Sequence, residues 1–206
     1  NNKVKKIVHI SSDEVYGEKL SGSCNENQKI EPTNPYSASK AAAEVIINSH
    51  KYSYKREIIT IRGNNVYGIR QYPEKLIPRC ILSLLNGKKM PLHGNGENVR
   101  YYLSAKDFSR AVCLLIKKRN KGIFNVGSKD FFTNIQVATA ICKILQKDTK
   151  KYIKFVKDRP FNDKRYCVST NKIRKLGWSP KNSLMKDLAY IIEWYIRNKR
   201  LFKNFN

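Results

Sequence analysis

The sequence predicts an α/β fold, a parallel sheet followed by a smaller mixed lobe, on three observations. Lys6-Ile7-Val8-His9-Ile10 is a short apolar, β-branched run and reads as a buried strand. Asn34-Pro35 opens a long helix, with Asn as the cap and Pro at the first helical position. Ala38, Ala41, Ala42, Ala43, Val45, Ile46 and Ile47 carry that helix to about Lys55. Ile58-Ile59-Thr60-Ile61 then reads as a second strand, so the rhythm is strand, loop, helix, strand, as parallel pairing requires.

The second half is more mixed. A helix is expected from about Pro73 to Asn86. Met90 to His93 and Asn98 to Leu103 flank Gly94-Asn95-Gly96 and read as a hairpin. Ser104 starts a helix to about Lys118, and Ile123 to Val126 is a strand. Thr133 and Gln136 form a capping box for a helix to about Gln146. Ile153 to Val156 is a strand, and a last helix runs from about Leu184 to Arg200.

Bulk composition narrows the function classes. With 206 residues and 41% hydrophobic content, the chain has enough apolar surface for a packed core. No apolar run approaches the ~18 residues that span a bilayer. The opening Asn1-Asn2-Lys3-Val4 has no apolar leader pattern. The five cysteines, Cys24, Cys80, Cys113, Cys142 and Cys167, are widely spaced and read as reduced core thiols in a cytoplasmic protein. His9, His50 and His93 stand alone, so no metal site is expected. A net charge of +25 raises nucleic acid as a partner. The basic residues are scattered, however, and no nucleic-acid motif accompanies them, so a solvated basic surface is expected instead.

Tyr36-x-x-x-Lys40 is the first sign of chemistry. Residues at i and i+4 share a helix face, so an ammonium lies beside a phenol. A nearby cation lowers a tyrosine pKa from about 10 and makes a base usable near neutrality. Tyr102 to Lys106 and Tyr195 to Lys199 match the same spacing and are read as surface pairs. The first match follows a strand that ends in a hydroxyl, Ser12, and adjacent acids, Asp13 and Glu14. Strand C-terminal ends are where ligands bind in open α/β sheets.

Longer segments extend this pattern. Ser11-Ser12-Asp13-Glu14-Val15-Tyr16-Gly17, Pro32-Thr33-Asn34-Pro35-Tyr36-Ser37-Ala38-Ser39-Lys40, Gln71-Tyr72-Pro73-Glu74-Lys75-Leu76-Ile77-Pro78, Asp158-Arg159-Pro160 and Lys175-Leu176-Gly177-Trp178-Ser179-Pro180 occur in order. Together they resemble the extended short-chain dehydrogenase/reductase family, and within it the dTDP-glucose 4,6-dehydratases. The resemblance implies the C-terminal part of a Rossmann-type parallel sheet plus a smaller mixed α/β substrate-binding lobe. On that reading, 1–63 and 99–123 belong to the NAD-binding domain, and 64–98 and 124–206 to the nucleotide-sugar lobe. The family's glycine-rich G-x-G-x-x-G turn is not found; Gly94-x-Gly96 continues to Val99 and lies between strands. These residues alone are therefore expected neither to hold NAD tightly nor to turn over.

The resemblance also implies roles. Ser12, Asp13, Glu14, Tyr36 and Lys40 would be catalytic. Ser11, Ser12, Tyr36, Lys40, Asn65 and Val66 would contact NAD. Asn65, Lys75, Arg100, Asn125, Arg159 and Tyr166 would contact the nucleotide sugar. Tyr36 would take the C4 hydroxyl proton, with Lys40 lowering its pKa and Ser12 bonding the oxygen. Glu14 would remove the C5 proton and Asp13 would protonate the departing C6 hydroxyl. The acid pair favours dehydration over 4-epimerisation or decarboxylation; a non-catalytic nucleotide-sugar-binding remnant is the alternative of a different class. Ser12 stands where the family usually has Thr, and Phe161-Asn162 where bacterial members usually have Gly-His, which leaves the nucleotide base open. A homodimer through the long helix is implied as well.

Overall fold

The computed structural model describes residue 4 and residues 6–202; Asn1 to Lys3, read above for a leader, lie outside the described residues, as does Lys5. Strands β1 (Lys6–Ser12) and β2 (Glu57–Gly63) pair in parallel from Lys6↔Glu57 to Ser12↔Gly63. Helix α1 (Pro35–Tyr54) makes the crossover between them. Its start is fixed by a reciprocal cap. The Asn34 side chain accepts from Ser37 N, and the Ser37 hydroxyl accepts from Asn34 N. Lys55, left-handed at φ 49°, ends it.

After β2 the chain forms β3 (Asn65–Tyr67) and α2 (Leu76–Leu85). Then come β4 (Met90–His93), β5 (Val99–Ser104), α3 (Ala105–Lys117) and β6 (Gly122–Val126). β6 adds in parallel to β2, giving a three-stranded sheet in the order β1-β2-β6. β7 (Phe131–Thr133), α4 (Asn134–Ile144), α5 (Thr149–Tyr152), β8 (Ile153–Val156), α6 (Asn171–Arg174) and α7 (Leu184–Arg197) complete the chain, with a 3-10 turn at Lys199–Phe202. The capping box of Thr133 and Gln136 is present at the start of α4. The second helix begins at Leu76 rather than Pro73, because Lys75 N closes a turn onto Tyr72 O at 3.0 Å.

The expected hairpin does not form. β4 pairs in parallel with β8, whereas β5 pairs in parallel with β3 and antiparallel with β7. Gly94 N bonds Val156 O at 3.0 Å, so the turn continues along β8 instead of folding back. The non-local pairing buries Met90 and Leu92 in the lobe core beside Ile81, Ile141 and Ile191. An isolated hairpin would leave that apolar surface in water.

A separate core lies against the parallel sheet, where Ile59, Ile61, Phe124 and Val126 meet Leu103, Ala111, Leu115, Ile173 and Trp178. Tyr102 and Tyr195 are core residues, not members of surface pairs; the Tyr195 hydroxyl donates to Gln71 O at 2.8 Å. Of the cysteines, Cys24, Cys80 and Cys142 are buried as expected, while Cys113 is exposed and Cys167 half-buried. Among the described residues, no helix is long and apolar enough to cross a membrane and no metal-ligand group occurs.

Candidate active site

The C-terminal end of β1 turns directly into a 3-10 helix, Asp13–Tyr16, because Ser12 caps it. Its hydroxyl accepts from Glu14 N at 3.2 Å. Gly17 closes the turn at φ 73°, with its N–H on Glu14 O at 3.0 Å. A side chain at Gly17 would collide with Glu31 O, so glycine is required here on two counts. The tight turn thereby presents Ser12, Asp13 and Glu14 together at the sheet's C-terminal edge.

Asp13 is the most perturbed carboxyl of this group. It is only 4% exposed and takes a 2.7 Å hydrogen bond from Asn64 Nδ2 onto Oδ2, while Ser12 Oγ lies 3.4 Å from Oδ1. Burial, then the neighbouring Glu14 charge, push its pKa up to about 7, against the pull of Asn64, Ser12 and Arg100. It can therefore hold a proton near neutrality.

Glu14 faces a second cluster. Its Oε2 lies 3.3 Å from Asn34 Nδ2 and 3.4 Å from the Tyr166 hydroxyl. Tyr166 donates to Asp163 Oδ2, and Asp163 also takes Thr33 Oγ1 at 2.8 Å and Asn34 Nδ2 at 3.3 Å. Burial and the Asp163 hydrogen bond raise the Tyr166 pKa, so it stays a neutral donor. Arg100 stacks over its ring, 5.2 Å from the centroid, and reaches Asn162 Oδ1 at 3.2 Å.

Tyr36 is 51% exposed at the first turn of α1. Lys40 lies on the same side, its Nζ 6.0 Å from the Tyr36 ring centroid and 3.1 Å from Ile10 O. The expected depression of the phenol is not met. Burial, then the charges of Glu14 and Asp13, hold the Tyr36 pKa above its ordinary value, and the opposing pull comes from the Ser12 hydroxyl rather than from Lys40. Lys40 is directed to a strand carbonyl instead of the phenol oxygen.

The structure brings Ser12, Asp13, Glu14, Tyr166 and Arg100 into linked contacts. Asn65 and Val66 stand on β3, half-buried and paired with Tyr102 and Leu103. Lys75 is exposed at the start of α2, and Arg159 is exposed, with its backbone N–H on Asp158 Oδ1. Asn125 is not brought to the acids. It is fully buried on β6, taking the Tyr16 hydroxyl at 2.9 Å and donating to Cys24 O at 3.0 Å. Asn34, Asn64 and Asp163 are site residues without an assigned role in the sequence reading. Asn34 was legible only as a helix cap, and Asn64 meets Asp13 across 51 positions.

NAD fits one part of this arrangement. Ser11 Oγ is buried without a hydrogen-bond partner near the end of β1, next in sequence to Ile10, whose carbonyl takes the Lys40 ammonium at 3.1 Å; the half-exposed Tyr36 stands one turn before Lys40 on α1. An orphaned hydroxyl, a cation and an open phenol suit a polar cofactor bearing hydroxyls and an amide.

Comparison with known proteins agrees with the geometry. A family model described as GDP-mannose 4,6 dehydratase matches residues 1–189. A trifunctional UDP-glucose 4,6-dehydratase/UDP-4-keto-6-deoxy-D-glucose 3,5-epimerase/UDP-4-keto-L-rhamnose-reductase of Arabidopsis thaliana is 43% identical over 199 residues, covering 95% of this chain and 30% of that protein. The solved dTDP-glucose 4,6-dehydratase of Streptomyces venezuelae, with NAD bound, superposes with TM-score 0.93 at 34% identity, over 98% of this chain and 63% of that one. A UDP-glucuronic acid 4-epimerase of Bacillus cereus, crystallised with UDP-glucuronic acid and NAD, gives TM-score 0.88 at 27% identity, over 96% and 63%. The chain thus spans about a third of the first relative and under two thirds of the others. A match over residues 1–189, carried by a Rossmann-type sheet whose first strand ends at Ser12, settles the kinship: the chain belongs to the GDP-mannose 4,6 dehydratase family.

Proposed function

We propose that these residues carry the dehydration of a nucleoside-diphosphate glucose, dTDP- or UDP-linked, to its 4-keto-6-deoxy product. The observation that carries this reading is Asp13, a buried carboxyl whose pKa is pushed up to about 7 directly beside Glu14. Elimination needs an acid and a base on adjacent carbons, and environments that push two carboxyls apart supply them. NAD, when bound, supplies hydride acceptance at C4 and its return at C6.

The remaining steps belong to side chains. Tyr36 takes the C4 hydroxyl proton, and Ser12 hydrogen-bonds the oxygen as it becomes a carbonyl. The 4-ketone acidifies C5, and Glu14 removes that proton. Asp13 protonates the C6 hydroxyl, which leaves as water. Asn34 donates toward Glu14 and holds its carboxylate in place, while the Tyr166 hydroxyl, its proton given to Asp163, lies 3.4 Å from the same oxygen. Lys40 anchors the cofactor side of the site through Ile10 O. Asn65, Lys75, Arg100, Arg159 and Tyr166 are the proposed contacts to the nucleotide sugar.

The lobes follow the same proposal: 1–63 with 99–123 for the cofactor, 64–98 with 124–206 for the sugar nucleotide. A homodimer through α1 is included, supported by the exposure of Val45, Ile46 and Tyr52 on that helix. A cytoplasmic location is included as well. Incubating the full-length protein with dTDP- or UDP-glucose and NAD, and following the product by NMR, tests the reading. A 4-keto-6-deoxy sugar is expected; galactose-configured product with its 6-hydroxyl intact would favour epimerisation and overturn it.

A further inference from the structure

Asp13 has one hydrogen-bonding neighbour that the reaction itself does not require. Asn64, in the turn between β2 and β3, is 5% exposed and held by its own N–H on Val126 O at 3.2 Å. Its side-chain oxygen accepts from Ser128 N at 3.0 Å. A backbone N–H can only donate, so the amide cannot be turned round without leaving that donor facing another donor. Asn64 Nδ2 must then face Asp13, and it does, 2.7 Å from Oδ2. Nor can the amide slide aside, because a Cβ at Gly127 would already overlap Asn64 Oδ1 and the backbone packs directly on it. Ser128 is fixed in turn, its hydroxyl donating to Tyr102 O at 2.5 Å and accepting from Asp130 N at 3.0 Å.

The consequence concerns which oxygen of Asp13 is acidic. Oδ2 receives an N–H whose orientation is imposed from the other side, so a proton there would meet a donor at hydrogen-bond distance. Oδ1 faces Ser12 Oγ at 3.4 Å, a hydroxyl that accepts from Glu14 N and keeps a second lone pair to accept with as well as a proton to donate. We propose that Asn64 is the positioning residue of the dehydration acid, reserving Oδ2 of Asp13 as a fixed acceptor and placing the transferable proton on Oδ1, on the Ser12 side. The chain Ser128–Asn64–Asp13 thus joins the sugar-side turn to the acid. It rests on the dehydration reading given above.

The step it serves is balanced. Glu14 takes the C5 proton, the C5 electron pair forms the C5–C6 double bond, the C6–O bond breaks, and the Oδ1 proton leaves with that oxygen as water. The test uses a substrate whose C6 group departs without needing that proton. In the full-length protein with NAD, Asn64→Leu keeps the branched shape of the side chain and removes its donor. With the natural 6-hydroxy nucleotide sugar, kcat is expected to fall by ~30-fold or more, the scale of a misplaced general acid. With the 6-deoxy-6-fluoro analogue, where fluoride leaves as the anion, the rate is expected to fall by no more than ~3-fold. Equal losses on both substrates, or no loss on either, would overturn the proposal. Asn64→Ala carries the same comparison where the leucine variant does not fold. Should the unaltered protein form no 6-deoxy ketone from the hydroxy sugar, the dehydration reading fails first and this inference with it.

Discussion

The Asn34 amide bridges α1 and the Asp13–Tyr16 turn: its oxygen accepts from Ser37 N at 2.9 Å while its nitrogen reaches Glu14 Oε2 at 3.3 Å. One side chain therefore both starts the helix that carries Tyr36 and orients the proposed C5 base. The two roles separate by substitution. Serine also caps helices well, so Asn34→Ser should leave stability within ~0.5 kcal/mol. It cannot reach Glu14, and kcat should fall ~10-fold, on the scale of a loosened base. Asn34→Ala should lose the cap as well, ~1 kcal/mol in urea denaturation. A serine variant with full activity would show that Glu14 needs no help from the cap.

Asp13 makes a prediction about stability against pH. Its folded pKa, about 7, lies above the ordinary carboxylate value of 3.8. The folded state therefore binds a proton that the unfolded state has released between those limits, and stability falls as pH rises through that window. Below pH ~4 both states are protonated and the full contribution is present; above ~7 it is lost. Asp13→Asn removes the titration. The variant should be the more stable protein at pH 8, by an amount on the order of a few kcal/mol at most, and should melt with a flatter pH dependence between 4 and 7. Activity should move the other way, falling by roughly 10²-fold or more. Melting curves at matched pH values check the first part and product assays the second.

Much of this site was legible because its signals are local. Ser12, Asp13 and Glu14 are adjacent, and Tyr36 and Lys40 share a helix face that Asn34-Pro35 announces. What escaped the sequence is what tertiary pairing decides. Asn64 meets Asp13 across 51 positions and Thr33 meets Asp163 across 130. Amides and hydroxyls carry no periodic pattern, so nothing in the chain marks them as partners. The Met90 and Val99 strands failed for the same reason, since their true partners, β8 and β3, lie far along the chain. Asn125 shows the converse: a motif position assigned to the ligand also holds the Tyr16 hydroxyl and the Cys24 carbonyl, a structural duty that nothing in the sequence marks.

Ser12 predicts a shift in the pH–rate profile. Its hydroxyl is the group that pulls the Tyr36 pKa down against burial and the charges of Glu14 and Asp13. A base works only when deprotonated, so the rate of the oxidation step should rise with pH through the Tyr36 pKa. Removing the hydroxyl in Ser12→Ala raises that pKa and moves the rise to higher pH. Near neutrality kcat should drop, and the loss should shrink as pH increases. Ser12→Thr keeps the hydroxyl and should hold the profile in place. An alanine variant whose loss is equal at all pH values would assign Ser12 a role in orientation alone.

The last prediction concerns the ion pair beneath α1. Arg62 and Glu44 are buried, with Nε at 3.0 Å from Oε1 and Nη2 at 2.6 Å from Oε2, and the guanidinium lies 4.6 Å from the Tyr16 ring centroid. Burial pulls the Arg62 pKa down, but contacts with Glu44 and Tyr16 more than offset it and keep the cation charged. Arg62 Nη1 has no hydrogen-bond partner, so Glu44 is the one carboxylate paired with this guanidinium among the described residues. Glu44→Gln keeps the shape and removes the charge, leaving a buried cation uncompensated. Breaking one side of such a pair costs about 3 kcal/mol or more. Replacing both partners, as in Glu44→Leu with Arg62→Met, removes the stranded charge and should recover most of that loss, to within ~1 kcal/mol. Because Tyr16 stacks on Arg62 and ends the turn that carries the proposed acid and base, the single variant should also lose activity, whereas a merely solvated surface pair would cost less than ~1 kcal/mol and leave kcat unchanged. Urea unfolding of the single and double variants, with product assays beside it, distinguishes the two outcomes.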